Sequence, residues 1–243
     1  MSGAWRVGTS GWVYPHWRGV FYPPDMPQKQ WFSYYARHFD TVEINNTFYR
    51  LPSESAVAGW RAQAPPNFLY AVKANRYLTH VRRLRDCAGP LQRFIERIQG
   101  LEPHLGPLLY QLPPNWAPNL PRLESFLKLL PSRFTHVMEF RDARWFQPAV
   151  YELLRDYGVG LCLYHMPGQQ TPFEVTSRVV YIRFHGVDTL YAGSYPDALL
   201  KAWAERIRHW VATGHYVYAY FNNDALGHAV HDARRLIAFL EQV

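Results

Sequence analysis

Cysteine is nearly absent from this chain: 243 residues contain only Cys87 and Cys162, far apart and in no paired spacing. That excludes a disulfide framework and a cysteine zinc cluster. Missing too is any stretch near the roughly 18 uninterrupted apolar residues of a membrane span. The opening Met-Ser-Gly-Ala-Trp-Arg has no apolar signal core, so the expectation is a cytoplasmic protein with no membrane partner. There is no low-complexity tract, linker or internal repeat. Acidic residues are outnumbered, 19 Asp and Glu against 26 Lys and Arg, giving a formal charge of +7 and a pI near 9.4. Such a balance favours anionic partners, small phosphates or nucleic acid, with solubility as the plainer explanation. What is plentiful is core material: 48% of residues are apolar and 16% aromatic. One domain spanning residues 1–243 is expected, since barrels of roughly 250 residues are ordinary single domains.

Eight β-type runs rich in Val, Ile, Leu, Tyr and Phe are predicted at 5–9, 41–45, 68–73, 106–111, 135–140, 158–164, 178–184 and 215–221. Helices are predicted at 27–38, 53–62, 88–99, 121–130, 145–156, 197–213 and 225–241. Ser53, Asp197 and Asp224 are candidate caps. Gly100 and Gly158 stand where helices should stop at positive φ. Alternation of strand and helix demands crossover connections, hence a parallel sheet with helices outside. Eight repeats predict closure into a (β/α)8 TIM-type barrel. An open doubly wound sheet would carry a Gly-rich phosphate loop after its first strand, and Gly8-Thr9-Ser10-Gly11-Trp12 lacks that spacing. The sixth unit is weak: residues 165–177, with Pro167, Gly168 and Pro172, read as loop, either rigid rim or lid.

Side chains of one parity on a strand point to one side. In the second run Thr41, Glu43 and Asn45 oppose Val42 and Ile44. The third sets Ala71, Lys73 and Asn75 against Tyr70 and Val72. The fourth ends at Gln111, the fifth carries Glu139 and Arg141, and the sixth ends in His165. The seventh sets Tyr181, Arg183 and His185 against Ile182 and Phe184, and the eighth Tyr218, Tyr220 and Asn222 against Val217, Ala219 and Phe221. The polar phase falls at the C-terminal strand ends, where barrels of this kind hold their ligands. A ring of mutually neutralised charges is the structural alternative, because buried charge is costly unless paired.

Ordered motifs from residue 8 to residue 229 resemble the YecE-like family, domain of unknown function number seventy-two. They are Gly8-Thr9-Ser10-Gly11-Trp12, Val42-Glu43-Ile44-Asn45-Asn46-Thr47-Phe48-Tyr49, Val72-Lys73-Ala74 with Thr79-His80, and Leu109-Tyr110-Gln111-Leu112-Pro113-Pro114. Glu139-Phe140-Arg141, Tyr181-Ile182-Arg183-Phe184-His185-Gly186 and Tyr220-Phe221-Asn222-Asn223-Asp224 follow. The resemblance implies a barrel and a site at its rim. Relatives often place an acid after the sixth strand where this chain has Tyr164-His165-Met166.

The chemistry these residues suggest is binding, with hydrolysis, of a phosphate-bearing substrate, either a sugar phosphate or a nucleic acid. Glu43 or Glu139 would serve as base, Lys73 and Arg183 would stabilise phosphoryl charge, and His185 is a further catalytic candidate. Asn45, Asn75, Gln111, Arg141, Arg183, Tyr220, Asn222, Asn223 and Trp12 would bind substrate. Asn222, Asn223 and Asp224 are expected to open the last helix, whose N–H groups favour an anion. Arg183 is placed at the mouth, where its loss should abolish anion binding and leave the fold intact. No cofactor is predicted. A divalent metal would recruit Glu43, Glu139, His185 and His165, although no His-x-x-x-His spacing is present. A Glu43/Glu139 glycosidase pair, with Trp12, Tyr14, Trp17, Phe48, Tyr49 and Trp145 stacking on sugar, is an alternative. A non-catalytic binding barrel, with both glutamates locked to arginines, is another.

Overall fold

The computed structural model describes residues 3–242. Nine strands are present: β1 (Ala4–Thr9), β2 (Thr41–Ile44), β3 (Leu69–Lys73), β4 (Leu105–Gln111), β5 (His136–Glu139), β6 (Gly160–Met166), β7 (Gln169–Gln170), β8 (Val179–Phe184) and β9 (Tyr216–Phe221). Helices are α1 (Trp31–Tyr35), α2 (Glu54–Gln63), α3 (Ala88–Ile98), α4 (Leu120–Leu127), α5 (Pro148–Asp156), α6 (Asp197–Ala212) and α7 (His228–Glu241). The sheet runs β1-β9-β8-β6-β5-β4-β3-β2, with β7 off this path as an antiparallel return on β6. A parallel bridge between Ser10 and Glu43 lies just beyond β1, against β2. Eight strands alternating with helices make this a (β/α)8 TIM-type fold, as the periodicity predicted. The chain packs as two compact units.

The first unit comprises residues up to Glu43, Leu163–Thr171 and Arg178 onward. Here β9 pairs in parallel with β1, Ala4 to Tyr216 through Thr9 to Phe221, and with β8, Val179 to Tyr216 through Phe184 to Phe221. Gly8 permits the approach of β1 to β2: a Cβ there would lie 2.3 Å from the Thr41 carbonyl oxygen. Helices α6 and α7 bury Leu200, Trp203, Ile207, Ala229, Val230 and Leu236. Two predicted caps are corrected. Asp197 sits in the first turn of α6 after Pro196 and pairs with Arg235 instead of capping. Asp224 precedes a 3-10 turn, Ala225–Gly227, and α7 begins only at His228, after a left-handed Gly227. Helix α1 is confined to Trp31–Tyr35 behind a 3-10 turn at Gln28–Gln30, shorter than the predicted 27–38. The expected loop 165–177 begins inside a hairpin, with His165 opposite Gln170 and the turn at Pro167-Gly168, where Gly168 takes φ +69°.

The second unit comprises Ile44–Cys162 and Pro172–Ser177. Strand β4 pairs with β5 from Leu108–His136 to Gln111–Glu139, and with β3 up to Lys73–Leu109. The Ser53 hydroxyl accepts from Ala56 N at 3.1 Å and starts α2 as predicted. Asn119 does the same for α4 through Arg122 N. Gly158 stops α5 at φ +63°, but Gly100 lies in the 3-10 turn Gln99–Leu101 that tightens the end of α3 and needs no positive φ. A π-helical turn, Tyr77–Val81, follows β3.

Candidate functional site

In the first unit the polar phase converges on Glu43, which is fully buried. Its Oε1 accepts from Ser10 Oγ at 2.6 Å and Arg183 Nη2 at 2.8 Å. Its Oε2 accepts from Tyr181 Oη at 2.6 Å and Arg183 Nε at 3.0 Å. Burial by itself would raise the Glu43 pKa, but the Arg183 charge, the bonds from its guanidinium and those from Ser10 and Tyr181 outweigh it and hold the carboxyl below its ordinary range. Tyr181 is pushed well above the usual phenol range by burial and by the Glu43 charge. This bidentate pair is a locked structural element, and Arg183 is 1% exposed, not at an open mouth. The expectation that its loss would spare the fold is therefore corrected, since it would strand a buried carboxylate.

Beyond that pair, the His185 ring lies 3.4 Å from Arg183 Nη1 and 3.2 Å from Asn222 Nδ2. Tyr220 is buried with its hydroxyl 2.7 Å from Thr41 Oγ1. Asn223 acts as an internal brace, donating to the Gly193 carbonyl and to Asp232 Oδ2, both at 2.8 Å. Trp12 is half-buried, its ring edge-on to Phe32 at 5.4 Å. His165 lies 3.2 Å from Tyr195 Oη, and burial lowers its pKa. The stretch from Asn222 to Asp224 does not open a helix, because the 3-10 turn intervenes. The Asp224 carbonyl instead accepts from Trp17 Nε1 and faces the His16 ring.

In the second unit Lys73, Gln111 and Glu139 project to one side of three adjacent strands, as the registers Lys73–Leu109, Leu109–Val137 and Gln111–Glu139 require. Glu139 pairs with Arg141, their side chains 0% and 9% exposed. The Lys73 ammonium rests 4.3 Å from the centre of the Phe48 ring, and its carbonyl accepts from Thr47 Oγ1 at 2.7 Å. Asn75 donates to the Thr47 carbonyl and accepts from Tyr77 N, bracing the π-helical turn. The Oδ1 of Asn45 is buried and has no hydrogen-bond partner among the described residues.

That π-helical turn delivers a group whose chemistry residue-by-residue reading of the sequence does not assign. His80 packs edge-on against Phe48 with centroids 5.0 Å apart, and its Nδ1 lies 2.9 Å from Thr79 Oγ1. Burial, then the positive charges of Lys73, Arg76 and Arg83, lower its pKa to about 4 against a smaller opposing effect of Glu139. At neutral pH it is an uncharged imidazole, able to accept a proton. The sequence signal was only that Thr79-His80 follows Lys73.

Among the described residues no group of three or more His, Cys, Asp or Glu is arranged to hold a metal ion. Glu43 in particular spends its oxygens on Arg183, Ser10 and Tyr181. Of the aromatics considered for stacking, Trp17, Trp145 and Phe48 are buried in packing, while Tyr49 is 73% exposed. No helix among the described residues is long and apolar enough to cross a membrane.

Fold and polar strand ends together define a TIM-type barrel with its candidate ligand groups on the C-terminal side of the strands. The chain belongs to the family described as "Protein of unknown function DUF72", which matches residues 6–243. It is 33% identical over 143 residues to the UPF0759 protein YecE of Escherichia coli K12, covering 58% of this chain, and the match spans about half the length of that relative, 49%. It is 21% identical to YunF of Bacillus subtilis, covering 97% of this chain and 94% of that one. A DUF72 family protein of Thermotoga maritima superposes with a TM-score of 0.90 at 28% identity, covering 98% and 100% of the two chains.

Proposed function

We propose that the protein binds a phosphate-bearing anion, the phosphate of a sugar or of a nucleic acid, at the C-terminal ends of β3, β4 and β5. The observation that carries this is the common side taken by Lys73, Gln111 and Glu139 on adjacent strands, with Arg141 paired to Glu139 and Asn75 following Lys73 in the chain. The net positive potential felt by His80 supports it, because cations there outweigh the one carboxylate. Lys73 and Arg141 would meet the phosphate oxygens, and the amides would orient the rest of the molecule. Hydrolysis of the phosphoester is the reaction such a set would catalyse, with the neutral His80 imidazole accepting a hydrogen bond from the attacking water and Lys73 balancing the developing charge. Glu43, clamped by four hydrogen bonds from three residues, is a poor base.

A phosphate settling beside Lys73 adds negative charge near His80, so the His80 pKa should rise from about 4. Imidazole NMR titrations with and without inorganic phosphate read this directly, and Lys73→Met should remove most of the rise. An unchanged titration under saturating phosphate would sink the reading. Binding without catalysis has one observation in its favour, the pairing of both glutamates to arginines. Absence of turnover on aryl phosphate mono- and diesters, with the His80 shift intact, would establish it. A glycosidase pair is disfavoured by the Arg183 clamp, which holds the Glu43 carboxyl below its ordinary range and unsuits it as a general acid.

A further inference from the structure

The positive charge is unevenly distributed. Residues 44–101 contain nine Lys and Arg against three Asp and Glu, and the rest of the chain seventeen against sixteen. Six of the seven surplus charges therefore lie in this one stretch, which belongs to the second unit. Arg6, Arg144, Arg155 and Arg235, outside this stretch, are each paired with an acid. Within it Arg82 pairs with Asp86 and Arg97 with Glu54, but among the described residues Arg50, Arg61, Arg76, Arg83, Arg85 and Arg93 enter no ion pair.

Four of these arginines, Arg50, Arg61, Arg93 and Arg97, border adjoining hollows that share Leu51. An open cleft of about 880 Å³ between α2 and α3 is lined by Arg61, Arg93 and Arg97 against two acids, Glu96 and the Glu54 that pairs with Arg97. At Leu51 it meets a hollow of about 630 Å³ beside Arg50 and another of about 200 Å³ beside Tyr77. Tyr77 is 43% exposed and Tyr49 73%, and each is a chain neighbour of an exposed arginine, Arg76 or Arg50. Unmatched guanidinium groups interleaved with bare phenol rings suit a ligand that alternates phosphates with flat rings. Single strands offer that combination, whereas a duplex keeps its ring faces stacked.

We propose that this α2–α3 face docks single-stranded nucleic acid, its phosphates along Arg50, Arg61 and Arg93 and its bases on Tyr77 and Tyr49. The surface shares with the strand-end site only Asn75, which lines the hollow beside Tyr77, and none of the arginines or tyrosines it uses is assigned to phosphate above. The test is fluorescence anisotropy with a labelled oligothymidine of about 20 nucleotides, spanning one or more sites of the usual size. The triple variant Arg50→Glu, Arg61→Glu, Arg93→Glu should weaken binding at least about tenfold at low salt and flatten the salt dependence, as loss of phosphate contacts requires. A charge-matched control, Lys29→Glu, Arg37→Glu, Arg178→Glu, changes the same net charge elsewhere and should cost less than about threefold if the effect is local. Tyr77→Ala should weaken binding about fivefold or more, as loss of a stacking platform does. Melting temperatures and the His80 response to phosphate should be unchanged in the triple variant, which separates failure of this surface from failure of the strand-end site. Should the triple variant melt early, the single Arg93→Gln replaces it, with a smaller loss expected. No binding by the wild-type chain, equal losses in the two triple variants, or duplex bound as tightly with Tyr77→Ala silent would each overturn the proposal.

Discussion

At Glu43 four hydrogen bonds from three side chains meet two carboxylate oxygens, which leaves a buried charge satisfied but entirely dependent on its partners. Arg183→Ala removes the counter-charge and should cost about 3–5 kcal/mol of stability, the usual penalty for breaking a buried pair from one side. Replacing both residues by methionine removes the stranded charge as well, so the double variant should be more stable than Arg183→Ala alone. Urea denaturation of the three proteins checks both statements, and a double variant no better than the single would refute the assignment. Strand parity made Glu43 and Arg183 legible, because a polar residue at alternate positions of an apolar run has no other reason to persist. That each glutamate could be locked to an arginine was also legible, but which arginine holds which glutamate was not. It depends on which strands lie side by side and at what register, as does the contribution of Ser10, 33 residues before Glu43.

At the level of elements, strands and most helices follow from periodicity, while departures cluster where local hydrogen bonding competes with it. The π-helical turn at Tyr77–Val81 and the 3-10 entry to α7 are short, and neither carries a repeat long enough to betray its period. The segment from Gly186 to Tyr195 is another such place. Its far end is tied to α7 by Asp232, fully buried, which accepts from Ser194 Oγ, Tyr195 N, Asn223 Nδ2 and Arg235 Nη1 at 2.7–2.9 Å. Gly186 begins it at φ +114°, where a Cβ would sit 2.1 Å from the Thr189 carbonyl oxygen. Asp232→Ala should therefore free this segment and speed amide exchange across residues 187–195 more than elsewhere, at a cost of about 3 kcal/mol or more for the buried donors left unpaired. Gly186→Ala should act at the other end by strain, costing more than about 1 kcal/mol. Uniform exchange across the chain in either variant would contradict this anchoring.

Across the whole molecule the titrating groups set an acid limb whose direction follows from their shifts. His80, His136, His165 and His38 all have pKa values lowered from the ordinary 6.5, each chiefly by burial. An unfolded chain takes up protons on these imidazoles before the folded one does, so the stability they contribute is complete above about pH 6.5 and is lost as pH falls toward the folded values, about 4 for His80. Glu43 acts lower: its folded pKa lies below its ordinary 4.5, so its contribution is present above that pH and disappears beneath it. Asp40 and Asp224, raised from 3.8 by burial, work in the opposite sense and soften the limb near that value. Stability measured by urea unfolding from pH 7 to pH 3 should thus decline in two stages. His80→Gln should flatten the upper stage, between about 6.5 and 4, and leave the lower one. Glu43→Gln should flatten the stage below 4.5 and leave the upper one, at reduced overall stability. If His80→Gln instead left the slope between pH 6.5 and 4 untouched, the imidazole would be titrating alike in both states. The cationic surroundings assigned to it, and with them the support it lends to an anion site, would be withdrawn.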